Sequence, residues 1–185
     1  MKYDNDFWNK YADNNDSNYN EEFSKFIRDL TFSLKAENVL EVGCSTGNDL
    51  RAFPENFDVS GIDLNDHALK KARQKLGSFK FKKGSIIELP CGDSSFDLVF
   101  THKVLNYIDD KDMTNAISEL FRVSRKYIVN FELFSDEITF SNSVVETQIV
   151  DEYMTLVKIL LAYLHNYRAT KAKWAEQVNN IRKSL

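Results

Sequence analysis

Strand-like and helix-like segments alternate through most of this chain, and that alternation restricts its fold more than any other feature. Short apolar runs predict five strands, over residues 38–42, 58–62, 79–82, 96–101 and 127–131. Apolar residues at helical spacing predict helices over residues 5–13, 23–34, 66–76 and 111–123. Because strands joined by helices form βαβ units, we expect an α/β fold with a mainly parallel sheet and helices on both faces. A ligand would then bind beyond the carboxyl ends of the strands.

The last quarter of the chain has a helical pattern only. Large apolar residues follow one face of a long predicted helix, at positions 145, 149, 153, 156, 160, 163 and 167, and a second helix is predicted over 170–184. We therefore divide the chain into a ligand-binding domain over residues 1–140, with an N-terminal lid helix, and a helical extension over 141–185. The extension is expected to cover the sheet edge within the same compact unit, or to form a homodimer contact with a second copy.

Charge and cysteine content exclude several classes of protein. The formal net charge is −4, whereas nucleic-acid-binding domains usually have a basic surface, so no nucleic-acid partner is expected. Cys44 and Cys91 form no CxxC pair, which argues against a metal site or a disulfide framework. The N-terminus is polar and acidic, and the most apolar run, 156–164, is short and contains Lys158. The sequence therefore predicts a cytoplasmic protein without a membrane partner.

The segment VLEVGCSTGN contains the first predicted strand and the turn after it. Gly43 would let a ligand approach the backbone, and Gly47 can begin a helix whose free N–H groups face the same crevice. Glu41, at the strand end, is placed to organise this turn or to approach the cationic end of a ligand. A dinucleotide-binding GxGxxG would need glycine where Ser45 and Asn48 stand, so a nicotinamide enzyme is disfavoured. An ordinary strand and turn is the remaining alternative.

A second motif, GIDLN, ends the second predicted strand with Asp63. A carboxylate at this place can accept hydrogen bonds from both ribose hydroxyls of an adenosine. Asp63 would otherwise cap the next helix, but Asn65 or Asp66 is better placed to cap a helix at Ala68. The sequence therefore favours ribose recognition by Asp63.

Two further motifs follow, with the sequences GSIIELP and SFDLVFTHKVLNYI. The first comes after the third predicted strand and would present the Ser85 side chain and the Ile86 backbone to an adenine edge. The second contains a buried strand that leads into a loop and a short helix. Both motifs therefore belong at the ligand-binding edge of the predicted sheet.

Taken in order, these motifs resemble those of class I S-adenosylmethionine-dependent methyltransferases, in particular the methyltransferase type 11-like branch with the pattern LP…SFDLV…VL..I. The resemblance covers residues 5–140. The segments RVSRKYI and GSIIELP are also similar to methylases associated with pseudaminic acid and related surface-sugar pathways. The resemblance implies a Rossmann-like fold, S-adenosylmethionine as the cofactor, and a small-molecule methyl acceptor such as a sugar or sugar nucleotide. The family usually ends in an antiparallel β-hairpin, whose place the predicted C-terminal helices take here.

The resemblance also implies a set of cofactor-binding residues. Asp63 would hold the ribose, Leu64 would lie against the adenine, and Thr101 would face the methionine end. Ser45 stands where the family has a common glycine, and Ser85 stands where it often has an acidic residue. The residues expected to bind the cofactor are Tyr11, Glu41, Gly43, Cys44, Gly47, Asp63, Leu64, Ser85, Ile86 and Thr101.

Catalysis by such a domain depends mainly on positioning, because the sulfonium cofactor already contains a good leaving group. A general base is needed only where the acceptor holds its proton tightly, as a sugar hydroxyl does. His102 directly follows the fourth strand and is the candidate base, with a surface or packing role as the alternative. Glu132, just after the fifth strand, is a candidate for orienting the substrate. Phe7, Trp8 and Tyr11 would shield the sulfonium as a lid or staple the first helix to the core.

Two further functions compete with an active small-molecule methyltransferase. The first is a methyltransferase-like binding or partner protein without catalysis, which the missing hairpin and the apolar C-terminal helix suggest. The second is a different Rossmann enzyme that uses a nicotinamide. Binding of S-adenosylmethionine, S-adenosylhomocysteine and NAD would distinguish these functions.

Overall fold

The structure is a computed structural model, and it describes residues 4–132. Its helices and strands follow in chain order as α1 (Asn5–Asn14), α2 (Glu21–Ser33), β1 (Asn38–Val42), β2 (Asp58–Asp63), α3 (Asp66–Lys75), β3 (Lys80–Lys83), β4 (Phe96–His102), α4 (Asp110–Val123) and β5 (Ser124–Phe131). Short 3₁₀ helices cover Asn15–Asn18, Asn48–Leu50 and Leu105–Tyr107. Within residues 4–132, no helix is long and apolar enough to cross a membrane. The predicted C-terminal helices, the extension over 141–185 and its dimer contact lie outside the described residues.

The five described strands form one parallel sheet in the order β3-β2-β1-β4-β5. The strand order reverses beside β1, so the switch point of the fold lies between β1 and β4. Val42, at the end of β1, is in register with Ile62 of β2 and Thr101 of β4. The carboxyl ends of three strands therefore meet at one place. The predicted Rossmann-like α/β fold is confirmed.

Side chains of each strand alternate between two buried faces of the sheet, as expected for parallel strands covered by helices on both sides. On one face, Val39 packs in a cluster with Ile27 of α2 and Leu69 of α3. On the other face, Leu40 packs in a cluster with Leu120 of α4. We call these the α2 face and the α4 face. Full burial of each such side chain contributes about 1.5–3 kcal/mol.

Asparagine side chains define where α2 and α3 begin. Asn20 accepts a hydrogen bond from Phe23 N at 3.0 Å, and Asn65 accepts one from Ala68 N at 2.9 Å. These bonds satisfy amide groups that no helix carbonyl can reach. The cap at Asn65 agrees with the sequence analysis, which assigned Asp63 a role other than capping.

Most elements agree with their predictions to within about two residues, and two findings go beyond such small shifts. β5 begins at Ser124, immediately after α4, although the predicted strand starts at Tyr127. Gly47, which was expected to begin a helix, precedes the short 3₁₀ helix Asn48–Leu50. Pro54 explains why this element is short, because the residue before a proline is disfavoured in the helical region and few residues separate Gly47 from it.

One buried carboxylate joins the amino ends of β1, β4 and β5. Asp97 is fully buried, and its Oδ2 accepts a hydrogen bond from Glu37 N at 2.9 Å. Arg125 Nε donates to Oδ1 at 2.6 Å, and Lys126 Nζ donates to Oδ2 at 3.0 Å. Burial alone would raise the pKa of Asp97, but these hydrogen bonds lower it to about 2. The negative charge at this end of the sheet is therefore well stabilised.

Candidate functional site

Three polar side chains lie on the same face of the sheet at the carboxyl ends of β1, β2 and β4. Glu41 is in register with Gly61 of β2 and Phe100 of β4. Because side chains two residues apart on a strand share a face, Glu41, Asp63 and His102 all project on the α2 face. The site therefore lies at the switch point, where the sequence predicted it.

The turn after β1, residues 43–47, contains three residues in the left-handed region, and we call it the glycine turn. Gly43, Ser45 and Gly47 have φ angles of 80°, 47° and 76°. A Cβ on Gly43 would lie 2.3 Å from Val104 Cγ2, so only glycine fits between β1 and the loop after β4. Gly43 N also donates to a carbonyl oxygen of β2 at 2.7 Å. The glycine turn is therefore held against β2 and the loop that follows β4.

Asp63 holds two backbone segments together. Its Oδ2 accepts a hydrogen bond from Ser45 N at 2.7 Å, and its Oδ1 accepts one from Asn65 N at 2.8 Å. Burial raises the pKa of Asp63, and the backbone hydrogen bonds oppose that effect. An ionised carboxylate has about four lone-pair sites, so these two bonds leave capacity for ribose hydroxyls. Asp63 thus fixes the glycine turn and keeps its predicted ability to accept from a ribose.

Glu41 is buried among other acidic groups, with only 3% of its surface exposed. Its carboxyl group is hydrogen-bonded with that of Asp49, while Oε2 has no hydrogen-bond partner in the structure. Burial, followed by the charge of Asp49 and the hydrogen bond to it, raises the pKa of Glu41 well above its usual value. The free Glu41 oxygen and its acidic surroundings suit a ligand that brings positive charge and hydrogen-bond donors.

His102 pairs with an acid from the segment after the glycine turn. Its Nδ1 lies 2.6 Å from Asp49 Oδ2, and the two side chains are 17% and 15% exposed. The ring centroid of His102 lies 4.2 Å from that of Phe23 in α2. The imidazole is therefore fixed by a carboxylate on one side and an aromatic ring on another.

Helix α1 places aromatic residues beside this cluster. Trp8 makes edge-to-face contacts with Tyr107 at 4.9 Å and Tyr11 at 5.8 Å between ring centroids. Burial, followed by the charges of Tyr107 and Asp49, raises the pKa of Tyr11, so its hydroxyl stays protonated beside the acids. The glycine turn is bonded to the 3₁₀ helix that follows α1, because Asn15 Nδ2 donates to the Ser45 hydroxyl at 3.2 Å. This position of α1 is compatible with both predicted roles, as a lid and as a staple.

Thr101 and Glu132 contact each other on the α4 side of β4. Thr101 is fully buried, and its hydroxyl lies 2.8 Å from Glu132 Oε1. Glu132 also accepts hydrogen bonds from Val104 N at 3.2 Å and Leu105 N at 3.1 Å. Both side chains are thus engaged in anchoring residues 103–109, which we call the β4 loop. Their predicted contacts with cofactor and substrate stay predictions.

The residues expected near the adenine have different exposures. Leu64 is 41% exposed, whereas the Ile86 side chain is buried in the α4-face cluster. The Ser85 hydroxyl accepts a weak hydrogen bond from Ile87 N at 3.4 Å. Gly84 N donates to Asp63 O at 3.0 Å, which brings this segment beside the end of β2. An adenine here would meet the Leu64 side chain and the backbone after β3.

Cys44 packs the glycine turn against β2. A Cβ on Gly61 would lie 2.7 Å from Cys44 Sγ, so the thiol packs closely against β2. Burial raises the pKa of this thiol well above its usual value, and the nearby Glu41 and Asp63 add to the effect. Cys44 N donates to Ile62 O at 3.1 Å. The side chain is therefore a packing group rather than a reactive thiolate.

Asp49 is the site residue that sequence reasoning missed. It lies two positions after Gly47, in a segment where a charged residue suggests a solvated helix surface. Its partner His102 is 53 positions away, and such a separation leaves no local pattern. The available sequence signal was the apolar Leu50 beside it. In the structure Leu50 is fully buried, which shows that this short segment packs inward.

Comparison with known proteins relates this chain to methyltransferases. Residues 39–127 match the family model described as a methyltransferase domain. An uncharacterized methyltransferase of Schizosaccharomyces pombe is 32% identical over 110 residues, covering 52% of this chain and 39% of that protein. A malonyl-[acyl-carrier protein] O-methyltransferase of Serratia marcescens is 32% identical over 94 residues, covering 50% of this chain and 36% of that protein. The chain thus spans less than half the length of these relatives.

A solved structure shares the fold. A putative S-adenosylmethionine-dependent methyltransferase from Methanococcus maripaludis has a TM-score of 0.60 at 14% identity, covering 100% of this chain and 85% of that one. At that identity, the likeness concerns the fold alone. The parallel sheet, the switch-point site and the match over residues 39–127 together make this chain similar to class I S-adenosylmethionine-dependent methyltransferase domains. Methyltransferase domains of this kind use S-adenosylmethionine as their cofactor.

The described residues fit this cofactor. Glu41 Oε2 and Asn48 Oδ1 are buried without a hydrogen-bond partner in the structure, and the cofactor has an ammonium group that can donate to such oxygens. Asp63 would accept from the ribose hydroxyls, and the exposed Leu64 would cover the adenine. Burying a polar atom without a hydrogen-bond partner costs about 1–3 kcal/mol of stability. A cationic ligand that donates to these oxygens would remove that cost.

Proposed function

We propose that this protein transfers the methyl group of S-adenosylmethionine to an oxygen of a small molecule, and that this acceptor is a sugar or a sugar nucleotide. The activity is supported by one observation, the meeting of Glu41, Asp63 and the Asp49–His102 pair at the switch point of the sheet. The first two acids suit the cationic and ribose parts of the cofactor. The imidazole suits an acceptor that must lose a proton.

The residues of this chain have three tasks in such a reaction. When bound, S-adenosylmethionine supplies a methyl carbon on a good leaving group, to which the acceptor oxygen bonds as the bond to sulfur breaks. Glu41 and Asp63 hold the reacting groups in place, and orientation of this kind contributes up to ~7–11 kcal/mol. His102 Nε2 takes the proton of the acceptor hydroxyl. Trp8 and Tyr11 of α1 limit the access of water.

The nature of the acceptor rests on weaker support than the activity. The Serratia marcescens relative is named an O-methyltransferase, which favours oxygen as the accepting atom. The net charge of −4 does not suit bulk nucleic acid. The sugar class is supported by the resemblance of GSIIELP and RVSRKYI to surface-sugar methylases.

Calorimetry on the full chain tests the cofactor first. We expect S-adenosylmethionine and S-adenosylhomocysteine to bind with one site per chain and NAD to show no heat of binding. Binding of NAD alone would contradict the proposal and favour the nicotinamide alternative. Binding of the methylated cofactor without any transfer would favour the non-catalytic binding protein.

A transfer assay with labelled methyl groups tests the acceptor. The panel contains free sugars, nucleotide-linked sugars and malonyl thioesters, and we expect label on a sugar hydroxyl. His102→Ala should slow this transfer by roughly 10²-fold or more while cofactor affinity stays within about 3-fold. Label on the thioester alone would keep the methyltransferase activity and exclude the sugar class.

A further inference from the structure

Asp49 is the acid that faces the candidate base. Its Oδ2 lies 2.6 Å from His102 Nδ1, within the range of a charge-assisted hydrogen bond. Both side chains are largely buried, at 15% and 17% exposure, so bulk water screens this contact little. The pair therefore differs from an exposed surface ion pair, whose geometry is usually loose.

The backbone around Asp49 is fixed by a buried hydroxyl of α2. Ser24 is fully buried, and its hydroxyl donates to Asp49 O at 3.0 Å. The same hydroxyl oxygen accepts a hydrogen bond from Ala52 N at 2.9 Å. The adjacent Leu50 is also fully buried. Asp49 thus projects from a rigid support, as a group that orients another side chain must.

Other titratable groups surround Asp49. Glu41 is also hydrogen-bonded with Asp49, and burial, followed by the charge of Asp49, raises the pKa of Glu41 well above its usual value. The charge of Asp49 also acts to raise the pKa of Lys103 and of Tyr11, so both groups lie within electrostatic range of this acid. The Asp49 carboxyl group therefore contacts both Glu41 and the His102 ring.

We propose that Asp49 is a positioning residue for proton transfer, and this inference rests on the proposed methyltransferase function. Asp49 Oδ2 accepts the Nδ1 proton of His102 and thereby keeps the imidazole in the tautomer whose basic nitrogen is Nε2. That nitrogen takes the acceptor hydroxyl proton as the new oxygen–carbon bond forms, and Asp49 stabilises the resulting imidazolium. Asp49 touches neither cofactor nor acceptor in this role.

Nitrogen-15 NMR of the histidine rings tests the proposal without an acceptor. The ring signals of His102 are identified by their loss in His102→Gln. At a pH where the imidazole is neutral, we expect a protonated Nδ1 and an unprotonated Nε2 in the wild-type chain. Asp49→Asn, which is nearly isosteric, should shift the population toward the opposite tautomer, because the amide can donate to Nδ1. Asp29→Asn, an exposed substitution in α2, is the matched control and should change nothing.

Kinetic measurements distinguish a positioning role of Asp49 from a purely structural one. Asp49→Asn should lower kcat by about 10²-fold or more, with the KM for S-adenosylmethionine and its binding constant within about 3-fold of wild type. A wild-type His102 protonated on Nε2, or Asp49→Asn with full turnover, would overturn the proposal. If Asp49→Asn does not fold, the tautomer of His102 in the wild-type chain decides whether the proposal holds. Absence of cofactor binding in the wild type would instead defeat the proposed function.

Discussion

The two ends of the same sheet contain buried carboxyl groups in opposite electrostatic conditions. At the amino ends, Asp97 receives hydrogen bonds from Glu37 N, Arg125 and Lys126, and its pKa is about 2. At the carboxyl ends, Glu41 is buried beside another acid, has an oxygen without a partner and has a raised pKa. One carboxylate is stabilised by the protein itself. The other is stabilised by the protein only when it is protonated, which is the property expected of a group that binds a cationic ligand.

The largest expected effect concerns the amino end. Asp97→Ala should lower the free energy of unfolding by about 3 kcal/mol, because it removes the buried carboxylate that accepts hydrogen bonds from Glu37 N, Arg125 and Lys126. Urea denaturation followed by circular dichroism measures this change. The matched control is Asp29→Ala, whose exposed carboxylate should be worth less than about 0.5 kcal/mol. If Asp97→Ala lowers the free energy of unfolding no more than the control does, Asp97 does not stabilise the fold and the two ends of the sheet do not differ in this respect.

Acid denaturation gives a second measure of the contribution of Asp97 to stability. The pKa of Asp97 falls from 3.8 to about 2 on folding, so its contribution is present above pH 3.8 and is lost as the pH falls toward 2. The size of this contribution is about 2 kcal/mol. Glu41 has the opposite sign, because its raised pKa gives a contribution that is present below about pH 4.5 and is lost as the pH rises through the folded value.

A smaller effect is expected at Asp63, which belongs to the carboxyl end but also holds backbone. Asp63→Ala should weaken binding of S-adenosylmethionine by at least ~10-fold, because charge-assisted hydrogen bonds to the ribose contribute about 1.5–3 kcal/mol each. It should also lower stability by about 1–3 kcal/mol, since Ser45 N and Asn65 N lose their acceptor. Calorimetry and thermal denaturation measure the two changes. The neighbouring exposed Asp66→Ala is the control, and equal affinities for both variants would exclude the ribose role.

The smallest effect on stability is expected at Glu41. Glu41→Gln replaces a buried acid, whose charged form burial disfavours, by a neutral amide of similar shape, so stability should stay equal to wild type or increase slightly. Binding of S-adenosylmethionine should nevertheless fall by roughly 10-fold, because the variant cannot ionise beside the cationic cofactor. Glu22→Gln, on the exposed surface of α2, controls for the substitution. A marked loss of stability in Glu41→Gln would show that this acid is structural, like Asp97.

Much of the fold was predictable because apolar periodicity determines which face of an element is buried. The bounds of β1 agree with prediction, and Glu41 and Asp63 lie at strand ends where the pattern placed them. Contacts across the sheet were not predictable in the same way. The pairing of Asp49 with His102 depends on strand register and on the short segment before Pro54, and neither leaves a local signal. The side chain of Thr101 projects away from Glu41, because adjacent residues on a strand alternate in direction and Thr101 shares the α4 face with Val42.

The anchoring of the β4 loop by Glu132 has a kinetic consequence. Two consecutive amides, Val104 N and Leu105 N, donate to its two carboxylate oxygens. Their hydrogens should exchange with deuterated solvent only when the loop separates from the end of β5, so their exchange rates report the opening frequency beside His102. Glu132→Gln should accelerate exchange at both positions together. The loop next to the candidate base therefore contains its own probe of local opening, readable before any acceptor is known.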